Sequence, residues 1–167
     1  EVLQERLGYD LVRDVQVLTP THRGPLGTVE LNAELQRLLQ KKLFGFNVPD
    51  VEHGHRPRLY PGDKVIQTKN DYELGVMNGA MGVVLDVEKN GRLTVDFDGR
   101  PVEIEPGSDA ASNVQLAYAT SIHKVQGSEF PCAIVIAHKS HSFMHHRNLL
   151  YTAVTRAKES VILLGDR

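Results

Sequence analysis

The sequence predicts an α/β fold: a mostly parallel sheet with helices on both faces, interrupted by a small β-barrel. Three observations predict it. Short, continuously apolar runs alternate with helical patterns at both ends of the chain, as in a parallel sheet buried on both sides. Between them, period-2 alternation and tight-turn signals run for about fifty residues, as in a small barrel. The charge follows the same division: net −5 over residues 59–112, net +3 over 113–167 and balanced before them.

The elements read in order as follows. Val15-Gln16-Val17-Leu18 is an apolar run stopped by Thr19-Pro20, which suits a buried strand. Gly24-Pro25-Leu26-Gly27 is a turn, and Leu31, Leu35, Leu38 and Leu39 mark one face of a following helix. Pro57 and Pro61-Gly62 open the middle segment. Lys64–Thr68 and Gly82–Val87 are strands, and Asn90-Gly91 is a turn. Leu93, Val95 and Phe97 alternate with Thr94 and Asp96, the period of a half-buried strand. Asp98-Gly99 is a hairpin signal before Val102–Glu105, and Pro106-Gly107-Ser108 closes the segment. Val114–Tyr118, Ala133–Ala137 and Val161–Leu164 are then expected to rejoin Val15–Leu18 in one parallel sheet, with a helix from about Arg147 to Lys158. The expected domains are therefore 1–58 with 113–167, and 59–112 inserted between them.

Composition narrows the function. The 167 residues are 41% hydrophobic and 24% charged, a globular balance that excludes wholesale disorder. A net charge of −2 excludes a strongly basic nucleic-acid coat but not a local basic groove. The single cysteine, Cys132, excludes an internal disulfide framework, fits a reducing cytoplasm and reads as a small core residue. No apolar run reaches the roughly 18–20 residues of a membrane span, so no membrane partner is expected. The chain begins at Glu1 in mid-pattern and without Met, the expectation being a piece of a longer protein.

Chemistry concentrates in two stretches. Tyr118-Ala119-Thr120-Ser121-Ile122-His123-Lys124-Val125-Gln126-Gly127-Ser128-Glu129-Phe130 packs hydroxyls, an imidazole, an ammonium, an amide and a carboxylate into one connection. Spacing alone reads it equally well as a solvated loop with a capped helix. Leu149–Lys158 carries an apolar face of Leu149, Leu150, Ala153 and Ala157, with Arg156 beside it. Alone, Arg156 reads as a surface or salt-bridge residue.

Together these stretches resemble motifs V and VI of superfamily 1B helicases in their RecD-like form, the family of the exodeoxyribonuclease V alpha subunit. Upstream, Leu18-Thr19-Pro20-Thr21-His22-Arg23-Gly24-Pro25-Leu26-Gly27 with Leu31-Asn32 resembles the motif IV region. Pro61–Tyr72 and Gly75-Val76-Met77-Asn78-Gly79 resemble the start of the family's SH3-like 2B insertion. The resemblance implies a RecA-like fold of the P-loop NTPase type, with domain 2A carrying the SH3-like barrel.

It also implies roles. Ser121 and His123 would bind phosphates of single-stranded DNA, Lys124 would add charge, and Asn70 and Asn78 would lie near the DNA path. Gln126, Gly127 and Glu129 would face the nucleotide, with Arg23 a further phosphate contact. Arg156 would be the arginine finger, since a guanidinium stays protonated and offers a planar fork of donors. The family usually has Thr at the position of Ser121, and the hydroxyl is kept.

No G-x-x-x-x-G-K-[ST] occurs, and no Asp-Glu pair follows an apolar strand. The resemblance therefore implies the second half of a motor. ATP and Mg2+ would act in the complete enzyme, with none bound tightly by this stretch alone, which should not hydrolyse ATP by itself. The implied partners are single-stranded DNA, the N-terminal motor domain 1A and other recombination or repair subunits. The implied movement is 5′ to 3′.

A second reading stays open on the residues: a non-enzymatic module whose SH3-like barrel docks protein or nucleic acid. A P-loop upstream of Glu1 would separate the two. His138, His141, His145 and His146 match no tight zinc spacing, and no metal site is expected. His53 and His55 read as solvated connector residues.

Overall fold

The computed structural model describes residues 2–50, 56–137 and 143–165, and the side chains of 143–146 lie outside the description. The chain divides into two compact units, residues 1–32 with 118–167 and residues 33–117.

The first unit holds a four-stranded parallel sheet in the order β7-β1-β8-β9. The two inner strands are β1 (Val15–Thr19) and β8 (Phe130–Ala137), flanked by β7 (Ala119–Ser121) and β9 (Ala157–Gly165). Inner strands of a parallel sheet lie under cover on both faces, which is why β1 is buried at all five positions and reads as an unbroken run. Its one amide, Gln16, is fully buried and donates from Nε2 to the Tyr118 C=O and to Thr120 Oγ1, both at 3.3 Å. Cys132 packs with Tyr9 and Val15, and burial pushes its thiol pKa up, as suits a core residue.

Helix α3 (Phe143–Val154) lies between β8 and β9 in the chain. The sequence carries the helix to Lys158, but it stops at Val154, and β9 starts at Ala157 rather than near Val161. Strand pairing overrides helical propensity here: Ala157 faces Phe130 and Ser160 faces Cys132 across the β8–β9 ladder. Ala157 therefore belongs to a strand and not to the helix's apolar face.

The second unit is built on a five-stranded antiparallel sheet, β5-β4-β3-β2-β6. Its strands are β2 (Lys64–Gln67), β3 (Met81–Val87), β4 (Leu93–Phe97), β5 (Arg100–Ile104) and β6 (Val114–Leu116). The alternation in β4 is realised as written, with Leu93, Val95 and Phe97 buried and Thr94 and Asp96 half-buried. At the β4–β5 hairpin Asp98 and Gly99 take φ of 54° and 81°, the two left-handed positions of a type I′ turn. Val65, Val84, Val95, Ile104 and Val114 make the centre of the core. A five-residue helix, α2 (Asp109–Asn113), precedes β6, and Ser108 caps it by accepting from the Ala111 N–H at 3.1 Å.

One strand goes elsewhere than its sequence suggests. Val114–Leu116 pairs antiparallel with β2, so the strand expected at Val114–Tyr118 does not enter the parallel sheet as one piece. Ala119–Ser121 supplies that strand instead, parallel to β1. An apolar run of five reads the same whichever sheet receives it.

Helix α1 (Thr28–Phe44) also turns a different face inward. The leucine stripe is only partly covered, and Leu38 is 61% exposed. Besides Leu39, the buried positions beyond its first residue are Asn32, Gln36 and Gln40, spaced i, i+4, i+8. Gln36 Nε2 donates to Asp63 Oδ2 at 2.6 Å and to the Arg58 C=O at 2.7 Å. Gln40 Nε2 donates to Asp63 Oδ1 at 2.9 Å and to the Pro61 C=O at 3.0 Å. Buried amides are tolerable because each finds acceptors.

Candidate functional site

The connection after β7 is short and tightly held. A single 3₁₀ turn, Ile122–Val125, buries Ile122 and Val125, which leaves His123 and Lys124 exposed between them. Ser121, the last residue of β7, is half-buried, and its side chain makes no capping bond to the turn. Gln126 (φ −57°, ψ 127°) and Gly127 (φ 84°) are the central residues of a type II turn, closed by the Ser128 N–H donating to the Val125 C=O at 3.0 Å. The second central position needs positive φ, so Gly127 is required by backbone geometry. No atom lies within 4 Å of where a Cβ would stand there, so the backbone is open to an approaching group.

Arg156 sits in a two-residue turn between α3 and β9, not within the helix. Its backbone is fixed on both sides. The N–H donates to the Ala153 C=O at 3.1 Å, and the C=O accepts from the Phe130 N–H at 2.8 Å. Nη1 donates to the Ser128 C=O at 3.3 Å, so the guanidinium lies against the Gln126–Glu129 turn. Nη2 reaches Thr155 Oγ1 at 3.5 Å, and the buried Nε has no hydrogen-bond partner. Among the described residues Arg156 has no carboxylate partner. Glu159, the acid nearest in sequence, accepts from Tyr9 Oη at 3.1 Å, and Asp166 lies outside the described residues.

Strand order separates the expected site residues into two groups. Ser121 closes β7 at the carboxyl end of the sheet, level with Thr19 of β1. Arg23 follows β1 at that same end, exposed in the loop to α1. That loop is pinned by Thr19 Oγ1 donating to the Leu26 C=O at 2.7 Å and by a 2.7 Å hydrogen bond between His22 Nδ1 and Thr28 Oγ1. The Gln126–Glu129 turn and Arg156 lie at the other end, where β8 and β9 begin. The rule that open α/β sheets bind ligands at strand carboxyl ends therefore covers Ser121 and Arg23 but not Arg156. Arg23 and Arg156 are not brought together.

Glu129 forms an exposed ion pair with Lys158 at 3.6 Å, the kind worth little in water. Asn70 and Asn78 belong to the second unit. Asn70 Oδ1 accepts from the Asn78 N–H at 2.8 Å and its Nδ2 donates to Tyr72 Oη at 3.3 Å, so Asn70 braces its own hairpin. Tyr72 beside it is 79% exposed. Among the described residues no three His, Cys, Asp or Glu side chains gather as metal ligands. His138 and His141 lie outside the described residues, as do the side chains of His145 and His146. No described helix is long and apolar enough to cross a membrane.

Comparison with known proteins follows the same division. Residues 116–164 match the UvrD-like helicase C-terminal domain family, and residues 31–97 match the ATP-dependent RecD-like DNA helicase SH3 domain family. The ATP-dependent RecD2 DNA helicase of Deinococcus radiodurans is 44% identical over 152 residues, which is 91% of this chain and 20% of that protein. The RecBCD enzyme subunit RecD of Mycobacterium tuberculosis is 34% identical over 156 residues, 92% of this chain and 25% of that protein. The chain thus spans a fifth to a quarter of these relatives. Among solved structures, the Pif1 helicase from Bacteroides in complex with ADP-AlF3 and ssDNA aligns with a TM-score of 0.59 at 22% identity, over 98% of this chain and 43% of that one. Pif1 helicase from Candida albicans aligns at 0.57 and 18% identity, over 94% and 48%. At these identities the likeness is one of fold, a RecA-like α/β architecture.

Proposed function

This chain belongs to the RecD-like helicase family, and on that premise we propose that it supplies the second half of an ATP-driven DNA helicase or translocase. In this reading the parallel-sheet unit acts as motor domain 2A and the antiparallel unit as its SH3-like 2B insertion. Domain 1A of the same protein completes the nucleotide site. Single-stranded DNA is the track, other recombination or repair subunits are the further partners, the cytoplasm is the compartment, and movement is 5′ to 3′.

The observation that carries the reading is Arg156. Its guanidinium is anchored through a fixed backbone, lies against a glycine turn with open backbone, and has no carboxylate partner among the described residues. Its Nη donors make only a 3.3 Å bond to the Ser128 C=O and an exposed 3.5 Å contact to Thr155 Oγ1, so they keep donor capacity for a ligand. A phosphate oxygen fits that capacity, and the chemistry is then the stabilisation of charge developing on a γ-phosphoryl group. Gln126 and the Gly127 backbone contribute neutral donors beside it. Glu129 can accept hydrogen bonds from ribose hydroxyls, for which it must exchange its exposed pairing with Lys158. In this reading domain 1A would hold the magnesium.

Ser121 and His123, at the far end of β7, would hold DNA phosphates. Neutral donors grip a strand without fixing it, which suits a motor that must release at each step. In the complete protein, His123→Ala should raise the single-stranded DNA concentration that half-saturates ATP turnover by about tenfold, the effect of one lost polar contact. The KM for ATP should stay within about twofold. Parallel loss at both ligands would make His123 a structural residue. Binding of single-stranded DNA by the complete protein should weaken as salt rises, because phosphate contacts release counterions.

A further inference from the structure

Strand β7 is three residues long and, among the described residues, has a ladder on one side only, with β1. In that ladder the Val17 N–H donates to the Tyr118 C=O at 3.2 Å. The N–H and C=O of Ala119 point to the opposite edge, where the sheet has no strand among the described residues. Asn32 fills that place from α1. Its Nδ2 donates to the Ala119 C=O at 2.8 Å, and its Oδ1 accepts from the Ala119 N–H at 2.8 Å. A carboxamide carries the same donor and acceptor as a peptide group, so Asn32 acts as a one-residue neighbouring strand. The contact is buried, with Asn32 only 8% exposed. Asn is a poor residue for a helix interior, so its place in α1 is explained by this contact and not by propensity.

Ala119 is two residues before Ser121 and four before His123. We propose that Asn32 is a positioning residue for the DNA-contacting segment. By clamping both backbone groups of Ala119, it fixes the register of β7 on β1 and so the placement of the Ser121 hydroxyl and the His123 imidazole. The inference rests on the reading that these two groups bind single-stranded DNA. Leu at this position keeps the branching of Asn, is larger, and supplies neither bond. Ala removes both bonds and brings neither bulk nor a buried charge.

The test uses the complete protein with two readouts, backbone amide exchange over residues 117–123 and the DNA dependence of ATP turnover. Asn32→Leu should speed exchange in β7 and raise the half-saturating concentration of oligo-dT about tenfold. Turnover at saturating DNA and the KM for ATP should stay within about twofold. Asn32→Ala should match Asn32→Leu in both readouts, and it decides the matter if Asn32→Leu does not fold. Unchanged DNA dependence in Asn32→Leu, alongside a raised requirement in His123→Ala, overturns the positioning role. Unchanged DNA dependence in both variants overturns the DNA reading itself and the proposal with it. Equal losses at the DNA and ATP sites make Asn32 a general structural residue and also overturn the proposal.

Discussion

Replacing Arg156 with alanine in the complete protein should cut DNA-stimulated ATP turnover by about 10³-fold or more, the lower end of arginine-finger effects. The loss should appear in kcat, with the fold intact. The side chain spends little on the rest of the protein: one 3.3 Å bond to the Ser128 C=O and one 3.5 Å contact to Thr155 Oγ1. The turn that carries it is held by its backbone, which alanine keeps. Arg156→Lys should recover little, because an ammonium lacks the planar fork. The opposite pattern, a lower melting temperature with near-normal turnover per folded molecule, would make Arg156 a structural residue that secures the Gln126–Glu129 turn.

The largest loss of stability should come from Asp63→Ala. Asp63 is fully buried, and its carboxylate accepts from Gln36, Gln40 and the Tyr60 N–H at 2.6, 2.9 and 2.8 Å. Alanine leaves two buried donors and one half-buried donor short of an acceptor, a loss of about 3 kcal/mol when each costs about 1 kcal/mol or more. For a chain of this size that corresponds to a fall of about 6–12 °C in Tm. Leu38→Ala on the exposed side of α1 should stay within about 0.5 kcal/mol. Thermal unfolding of the two variants measures the contrast, and similar losses would mean that the amide–carboxylate cluster does not secure α1.

The leucine and amide faces of α1 show where sequence reading stops. Apolar periodicity finds a helix but assumes that leucine marks the inward face. Here Leu38 is outside, and Gln36 and Gln40 are inside because Asp63, twenty-three or more residues away, gives them acceptors. That partnership has no local signature. The inner strands β1 and β8 were legible because two-sided burial demands mostly apolar runs, with Gln16 in β1 satisfied by hydrogen bonds. The Asp98-Gly99 turn was legible because its two positive φ values admit few residues. The destination of Val114–Leu116 was not, since both sheets accept the same three residues. The family motifs picked out Ser121, His123, Gln126 and Arg156. The sheet's strand order then placed Arg156 and the Gln126–Glu129 turn at one end and Ser121 at the other. Asn32 entered the sequence reading only as part of a motif, because a side chain that completes a sheet edge is visible only once the edge is known.

The central claim is that these 167 residues are half of a two-part ATP motor. The direct measurement is ATP hydrolysis, with and without oligo-dT, by the 167-residue chain alone and by the complete protein at equal molar concentration. DNA-stimulated turnover is expected from the complete protein and none above background from the chain, whose sequence carries no G-x-x-x-x-G-K-[ST] to cradle the phosphates. DNA-stimulated turnover by the purified chain alone would contradict it.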